Sequence, residues 1–162
     1  MKNFSHHKKF SRPDVRASRP QDVETVSLTI ESLSPQAQGV ATHDGKKYLV
    51  PFTLPGETVR VLPITKKKNT VYCELIEVVK KSPQRITPKC PYFGTCGGCD
   101  LQHMSYEDQL TFKQDSISNL LTLHHSPFTL HNIVPSPLPF NYRNRITLHS
   151  DGKKIGYYKP FS

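Results

Sequence analysis

Apolar and polar residues alternate along the first half of the chain with the two-residue period of β-strands. Val26, Leu28 and Ile30 share one parity and predict a half-buried strand. Gly39–His43 and Lys47–Val50 flank Asp44-Gly45, a pair that supplies the positive φ angles of a type I′ hairpin turn. Leu54-Pro55-Gly56-Glu57 places Pro and Gly at the central positions of a type II turn. Val59 and Val61 then mark a further strand, and Val71, Cys73 and Leu75 share a face of the last one. Between them Lys66-Lys67-Lys68-Asn69 reads as a charged loop. Five short strands joined by tight turns over residues 23–81 predict a small OB-like or SH3-like barrel.

The pattern then changes twice. Residues 82–104 are rich in Pro and Gly and read as loop. Ser105 follows as a predicted N-cap, with Asp108 in the capping-box position. Tyr106, Leu110, Ile117 and Leu121 recur at nearly whole helical turns, so a helix is expected to about Leu123. Lys113 lies off that stripe and is expected to face outward. From Ile133 the chain is Pro-rich and then strand-like. Tyr142, Asn144, Ile146 and Leu148 alternate with Arg143, Arg145, Thr147 and His149, and Asp151-Gly152 predicts a turn into a return strand over Ile155 to Tyr158. A lone hairpin is marginal in water, so residues 127–162 read as the start of an incomplete β-rich domain. The fold class is therefore mainly β with one helix, in four parts. They are a disordered basic tail (1–22), the barrel (23–81), a cysteine segment with its helix (82–126) and the truncated β-rich start (127–162).

Charge sharpens this picture. Lys plus Arg number 22 against 13 Asp plus Glu, a formal charge of +9, and the cations cluster. That balance suits a polyanionic partner. Lys46 and Lys47 follow the hairpin turn, and Lys66, Lys67 and Lys68 occupy a loop where OB-like barrels contact nucleic acid. Arg143 and Arg145 share one predicted strand face, able to grip adjacent phosphates. With Lys113 these form the candidate RNA-binding set. Phe52, Tyr92 and Phe93 offer stacking surfaces or, alternatively, packing. No apolar run approaches the ~18 residues of a membrane span, and the N-terminus has no apolar signal region, so a cytoplasmic protein is expected.

Four cysteines without a secretory signal favour metal over disulfides. Cys90, Cys96 and Cys99 stand at x5 and x2 spacing, and Gly94, Gly97 and Gly98 allow the bends that aim several sulfurs inward. They also leave amides for sulfur. Three thiolates leave a fourth ligand open. Cys73 reads as core packing, His103 would complete a Cys3His zinc knuckle, and a ligand outside the chain would complete an iron–sulfur cluster.

Cys90-Pro91-Tyr92-Phe93-Gly94-Thr95-Cys96-Gly97-Gly98-Cys99 with Leu101-Gln102-His103 resembles the iron–sulfur segment of the SAM-dependent RNA uracil-5 methyltransferases. Ile30-Glu31-Ser32-Leu33, Gly39-Val40-Ala41 and Leu54-Pro55-Gly56-Glu57 resemble the TRAM domain that precedes it in that family. Asn141-Tyr142-Arg143-Asn144-Arg145 and Gly156-Tyr157-Tyr158-Lys159-Pro160 resemble the start of its central domain. The resemblance implies that Cys90, Cys96 and Cys99 ligate a [4Fe–4S] cluster, with the fourth cysteine just past Ser162. It implies rRNA or tRNA as partner. SAM and the catalytic residues belong to a methyltransferase domain with no counterpart in these residues, which are expected to be the front portion of a longer enzyme or to work with a separate chain that carries that domain. A stand-alone zinc-knuckle RNA-binding protein and a redox-sensing cluster protein are the alternative readings.

Overall fold

The computed structural model describes residues 24–150 and 152–158. The expected basic tail at 1–22, Asp151 of the second turn, and Lys159-Pro160 lie outside the described residues.

Among the described residues, eight strands and one helix follow in order: β1 (Val26–Thr29), β2 (Ser32–Leu33), β3 (Gly39–His43), β4 (Lys46–Val50), β5 (Thr58–Lys67), β6 (Thr70–Lys80), α1 (Tyr106–Leu123), β7 (His149–Ser150) and β8 (Ile155–Gly156). The first six form one sheet in the order β1-β5-β6-β4-β3-β2, antiparallel except for the parallel β4–β6 pair. Its two edge strands, β1 and β2, are joined by only Ile30 and Glu31. Those two residues change partners. The Ile30 amide donates to the Glu57 carbonyl on one side, and the Glu31 amide donates to the Val40 carbonyl on the other. The sheet thus closes through one bent strand into the five-stranded OB-like barrel that the alternation predicts, and the SH3-like option falls away.

The inward parity is the predicted one. Leu28, Ile30, Ala41, Tyr48, Val50, Val59, Val61, Val71 and Cys73 pack as one buried core. Cys73 is a core residue. Burial pushes its thiol up to about 11. Both turns have the expected backbone: Asp44 and Gly45 at φ 48° and 67°, and Gly56 at φ 80°. β5 and β6 run longer than the alternation shows, because register shifts between Arg60 and Val61 and between Pro63 and Thr65 break the two-residue period. Lys66 and Lys67 therefore belong to β5, and only Lys68 and Asn69 form the turn.

Gly39 has a packing reason. A Cβ there would lie 2.0 Å from Thr53 Oγ1 and 3.0 Å from Ile30, and the Thr53 hydroxyl is tied to the Val50 carbonyl at 2.9 Å. Gly39→Ala is expected to cost about 1–3 kcal/mol through overpacking. A urea titration should show a lower midpoint at unchanged slope.

Beyond the barrel, α1 begins at Ser105, whose Oγ accepts the Asp108 amide at 3.0 Å. The helix has no buried residue, and Lys113 faces solvent as expected. Its apolar stripe is only partly covered: the Tyr106 hydroxyl accepts the Ser136 amide, and Gln114 accepts the Ile133 amide, as segment 133–136 runs past. The strand expected over 142–148 is absent. These described residues are irregular, and the hairpin reduces to the two-residue pairs of β7 and β8. Arg143 and Arg145 therefore do not share a strand face. Alternation alone does not hold a strand without neighbours to take its hydrogen bonds.

Candidate nucleic-acid interface and cysteine loop

The two barrel hairpins β3–β4 and β5–β6 end side by side. The Lys47 amide donates to the Asn69 carbonyl at 3.0 Å, and the Asn69 side chain donates to the Gly45 carbonyl at 2.9 Å. The parallel pairing of Lys47 with Thr70 completes the clasp. Five lysines widely separated in sequence, Lys46, Lys47, Lys66, Lys67 and Lys68, thus share one end of the barrel. All but half-buried Lys46 are exposed, and Lys67 Nζ lies over the Tyr72 ring at 5.7 Å. An open groove of about 310 Å³ runs between Lys46, Tyr48, Thr65 and Lys66. Such an end concentrates positive potential in the manner that attracts phosphate. The other predicted RNA-contacting residues lie elsewhere: Lys113 on α1, and Arg143 and Arg145 in the irregular segment, where the Arg143 guanidinium sits 5.9 Å from the Tyr142 ring centre.

The cysteine segment docks against the opposite end of the barrel. Phe52 meets Phe93 edge-on at 5.1 Å, and Phe93 lies against His103 at 5.5 Å. Phe52 and Phe93 are half-buried in this contact, whereas Tyr92 remains exposed. The Gln102 side chain accepts the Cys90 amide at 3.2 Å, and the Gln109 side chain donates to the Leu101 and Met104 carbonyls. Cys90, Cys96 and Cys99 are free thiols on one short loop, with Cys99 exposed. The Gly97 amide donates to the Tyr158 carbonyl at 2.9 Å, so it does not serve sulfur. Gly98 leaves space between Cys96 Sγ and the Tyr157 ring, which stand 3.5 and 3.7 Å from where a Cβ would be.

No three His, Cys, Asp or Glu side chains gather around a single ion among the described residues. His103 packs against the barrel: its Nε2 faces the Thr53 carbonyl at 3.5 Å and its Nδ1 is buried without a partner. A four-iron cluster makes a different demand, one thiolate for each iron. Three unpaired thiols on a glycine-rich loop are of the right donor type and supply three of those four ligands.

The anchor between barrel and loop joins two residues 28 apart in the sequence. Glu57 is fully buried and accepts from the Leu54 amide (2.8 Å), the Ser82 amide (3.2 Å) and both Nε and Nη2 of Arg85. Arg85 Nη2 also reaches the Phe52 carbonyl at 2.7 Å. Burial by itself raises the Glu57 carboxyl, but the Arg85 fork and the two amides outweigh it and hold the group below its ordinary value. From Arg85 the chain continues straight to the cysteine segment: the Ile86 amide donates to the His103 carbonyl at 3.0 Å, and Arg85 bridges Met104.

Comparison with known proteins places these parts together. Residues 26–84 match the model of the tRNA (uracil(54)-C(5))-methyltransferase TRAM domain. A 23S rRNA (uracil(1939)-C(5))-methyltransferase of Legionella pneumophila is 41% identical over 140 residues, 83% of this chain and 31% of that protein. A tRNA (uracil(54)-C(5))-methyltransferase of Pyrococcus horikoshii is 41% identical over 109 residues, 67% of this chain and 25% of that protein. The crystal structure of the Pyrococcus abyssi tRNA (uracil-54, C5)-methyltransferase with S-adenosyl-L-homocysteine superposes with a TM-score of 0.60 at 32% identity, over 81% of this chain and 28% of that one. The chain thus spans under a third of the length of these relatives. Residues 26–84 are a TRAM domain of the tRNA uracil-54 C5-methyltransferase type, in a chain whose relatives are RNA uracil-5 methyltransferases.

Proposed function

We propose that this chain is the RNA-gripping, cluster-bearing portion of an RNA uracil-5 methyltransferase acting on rRNA or tRNA. The observation that carries the RNA half of this reading is the clasp that brings Lys46, Lys47, Lys66, Lys67 and Lys68 to one barrel end. Their ammonium groups take phosphates, and the barrel fixes their spacing. Lys113, Arg143 and Arg145 form a second, separate set of phosphate contacts on the parts beyond the barrel. Methyl transfer from SAM to uracil C5 belongs to the methyltransferase domain of the whole enzyme.

Cys90, Cys96 and Cys99 are the residues that would hold a [4Fe–4S] cluster, which when bound supplies a covalent cross-link that stiffens the loop. The packing of the last described residues supports a fourth thiolate from the C-terminal side. Tyr157 and Tyr158 lie against Gly98 and Gly97, which brings the last described residues beside the cysteine loop. Anaerobic purification with iron and acid-labile sulfide assays tests this half. One zinc per chain and no iron would overturn it.

The RNA half is tested by salt. Neutralising about five phosphates of a single strand predicts a slope of roughly −3.5 in log affinity against log salt. Reversing Lys47, Lys67 and Lys68 to Glu should remove at least three of these contacts and flatten the slope to roughly −1.4 or less. A slope near zero in the unaltered chain would overturn the reading.

A further inference from the structure

A second cavity, of about 180 Å³, opens where the barrel meets the cysteine loop, at the end opposite the lysine clasp. Three segments build it: Gln36, Ala37 and Gln38 from the β2–β3 loop, Pro51 and Phe52 after β4, and Gly97 and Asp100 from the cysteine loop. Its volume is that of one flat ring system, since an apolar cavity of ~150 Å³ already accommodates benzene.

Two of its walls are strained. Ala37 and Phe52 adopt φ angles of 59° and 61°, a region that residues with a Cβ avoid, a bulky aromatic above all. The surroundings enforce both. The Ala37 amide donates to the Ser34 carbonyl at 2.8 Å, and the Ser34 amide donates to the Gln38 carbonyl at 2.7 Å. The Phe52 carbonyl is held by Arg85. Left-handed non-glycine residues that persist because their neighbours over-determine them cluster at ligand sites. Here two of them line one cavity from different loops.

The rim has a definite chemistry. Pro51 and Phe52 give an apolar wall. Gln36 and Gln38 can donate through their amides, and Asp100 is an acceptor only. We propose that this cavity takes one unpaired RNA base of the keto type, uracil or guanine, from the strand bound by the protein. The ring lies on the Phe52 side, as RNA-binding proteins stack splayed-out bases on aromatic side chains. Its imino N–H donates to Asp100, and the adjacent carbonyl accepts from a glutamine amide. Adenine and cytosine present a ring-nitrogen lone pair at that position, which faces the carboxylate unfavourably. The site reads sequence, whereas the lysine end holds backbone.

This inference rests on the RNA-binding reading, and its test separates the two. Nine-nucleotide oligoadenylates carrying a central U, G, C, A or abasic position are titrated against the full chain, with fluorescence anisotropy as the readout. The expected result is at least fivefold tighter binding for U and G centres than for A, C or abasic. Asp100→Ala and Gln38→Ala should each erase that preference while RNA binding itself and its salt slope are retained. Asp100 is an exposed loop residue, so its removal leaves the barrel intact. Equal affinity for all five strands would overturn the base pocket and leave RNA binding standing. A preference that survives Asp100→Ala would also overturn it. Failure to bind any strand would overturn both readings.

Discussion

Replacing Glu57 by glutamine will cost the fold about 3–5 kcal/mol, the range found when one member of a buried ion pair is removed. The residue is fully buried, and its partner's side chain is only 14% exposed. Glutamine matches the shape but not the charge. It leaves the Arg85 guanidinium inside the protein without its counter-ion, and it presents an NH2 group where Leu54 or Ser82 donates. Arg85→Met makes the complementary error, a buried carboxylate lacking its fork, and is expected to cost a similar amount. The double replacement Glu57→Leu with Arg85→Met removes both charges and should recover part of the loss, because the penalty of each single change is mainly the stranded partner. Urea unfolding of the four proteins measures this directly. Additive losses in the double variant would show that the pair does not act as a unit.

A local consequence separates this anchor from generic core packing. Glu57 and Arg85 join the β4–β5 turn, the Phe52 carbonyl and the start of the cysteine segment. Loosening them should free residues 86–104 from the barrel before the barrel itself unfolds. Limited proteolysis at native conditions should then cut Glu57→Gln near the Lys89 bond, where the parent chain resists.

How far the sequence alone reveals such features depends on whether a local pattern encodes them. The barrel does follow from pattern. Its turns carry Asp44-Gly45 and Pro55-Gly56, and the inward positions of β1, β3, β4, β5 and β6 alternate with polar ones. The bend at Ile30–Glu31 is invisible to the period, since Leu28 and Ile30 keep their parity through it; only the exchange of backbone partners reveals it. Register shifts hide the full lengths of β5 and β6 in the same way. Glu57 is a clearer lesson. It shares the parity of Val59 and Val61, so the alternation itself places its carboxylate inward. Reading that signal requires a cation for the carboxylate, and Arg85 lies 28 residues away. The cysteine spacing marks its loop plainly. The place where the loop sits does not follow from spacing, because it depends on Phe52, Phe93 and His103 meeting across the chain. The 142–148 alternation misleads for a physical reason: a strand exists only through its neighbours' hydrogen bonds, which periodicity does not supply.

His103 makes the protein acid-sensitive well above the range of ordinary carboxylates. Burial lowers its basicity first, and the Arg85 charge lowers it further. The Thr53 carbonyl and the Glu57 carboxylate act the other way without prevailing, and the ring settles at about 4 against an ordinary 6.5. Between those two values the unfolded chain takes up a proton that the folded chain refuses. Stability therefore falls as the pH drops from 6.5 towards 4, by about 3 kcal/mol across the whole window. Below that window the folded ring is protonated too, and this loss stops growing. The Glu57 carboxyl, held below its ordinary 4.5, adds a second loss only once the pH falls beneath that value. The two groups thus act in sequence. His103→Gln retains a donor for the Thr53 carbonyl but cannot titrate. Its stability should stay level between pH 6.5 and about 5, where the parent declines, and then fall with the Glu57 step. Urea midpoints at half-unit intervals of pH measure both curves. If parent and variant fell together over that upper range, the burial of a neutral imidazole between barrel and cysteine loop would not be the cause.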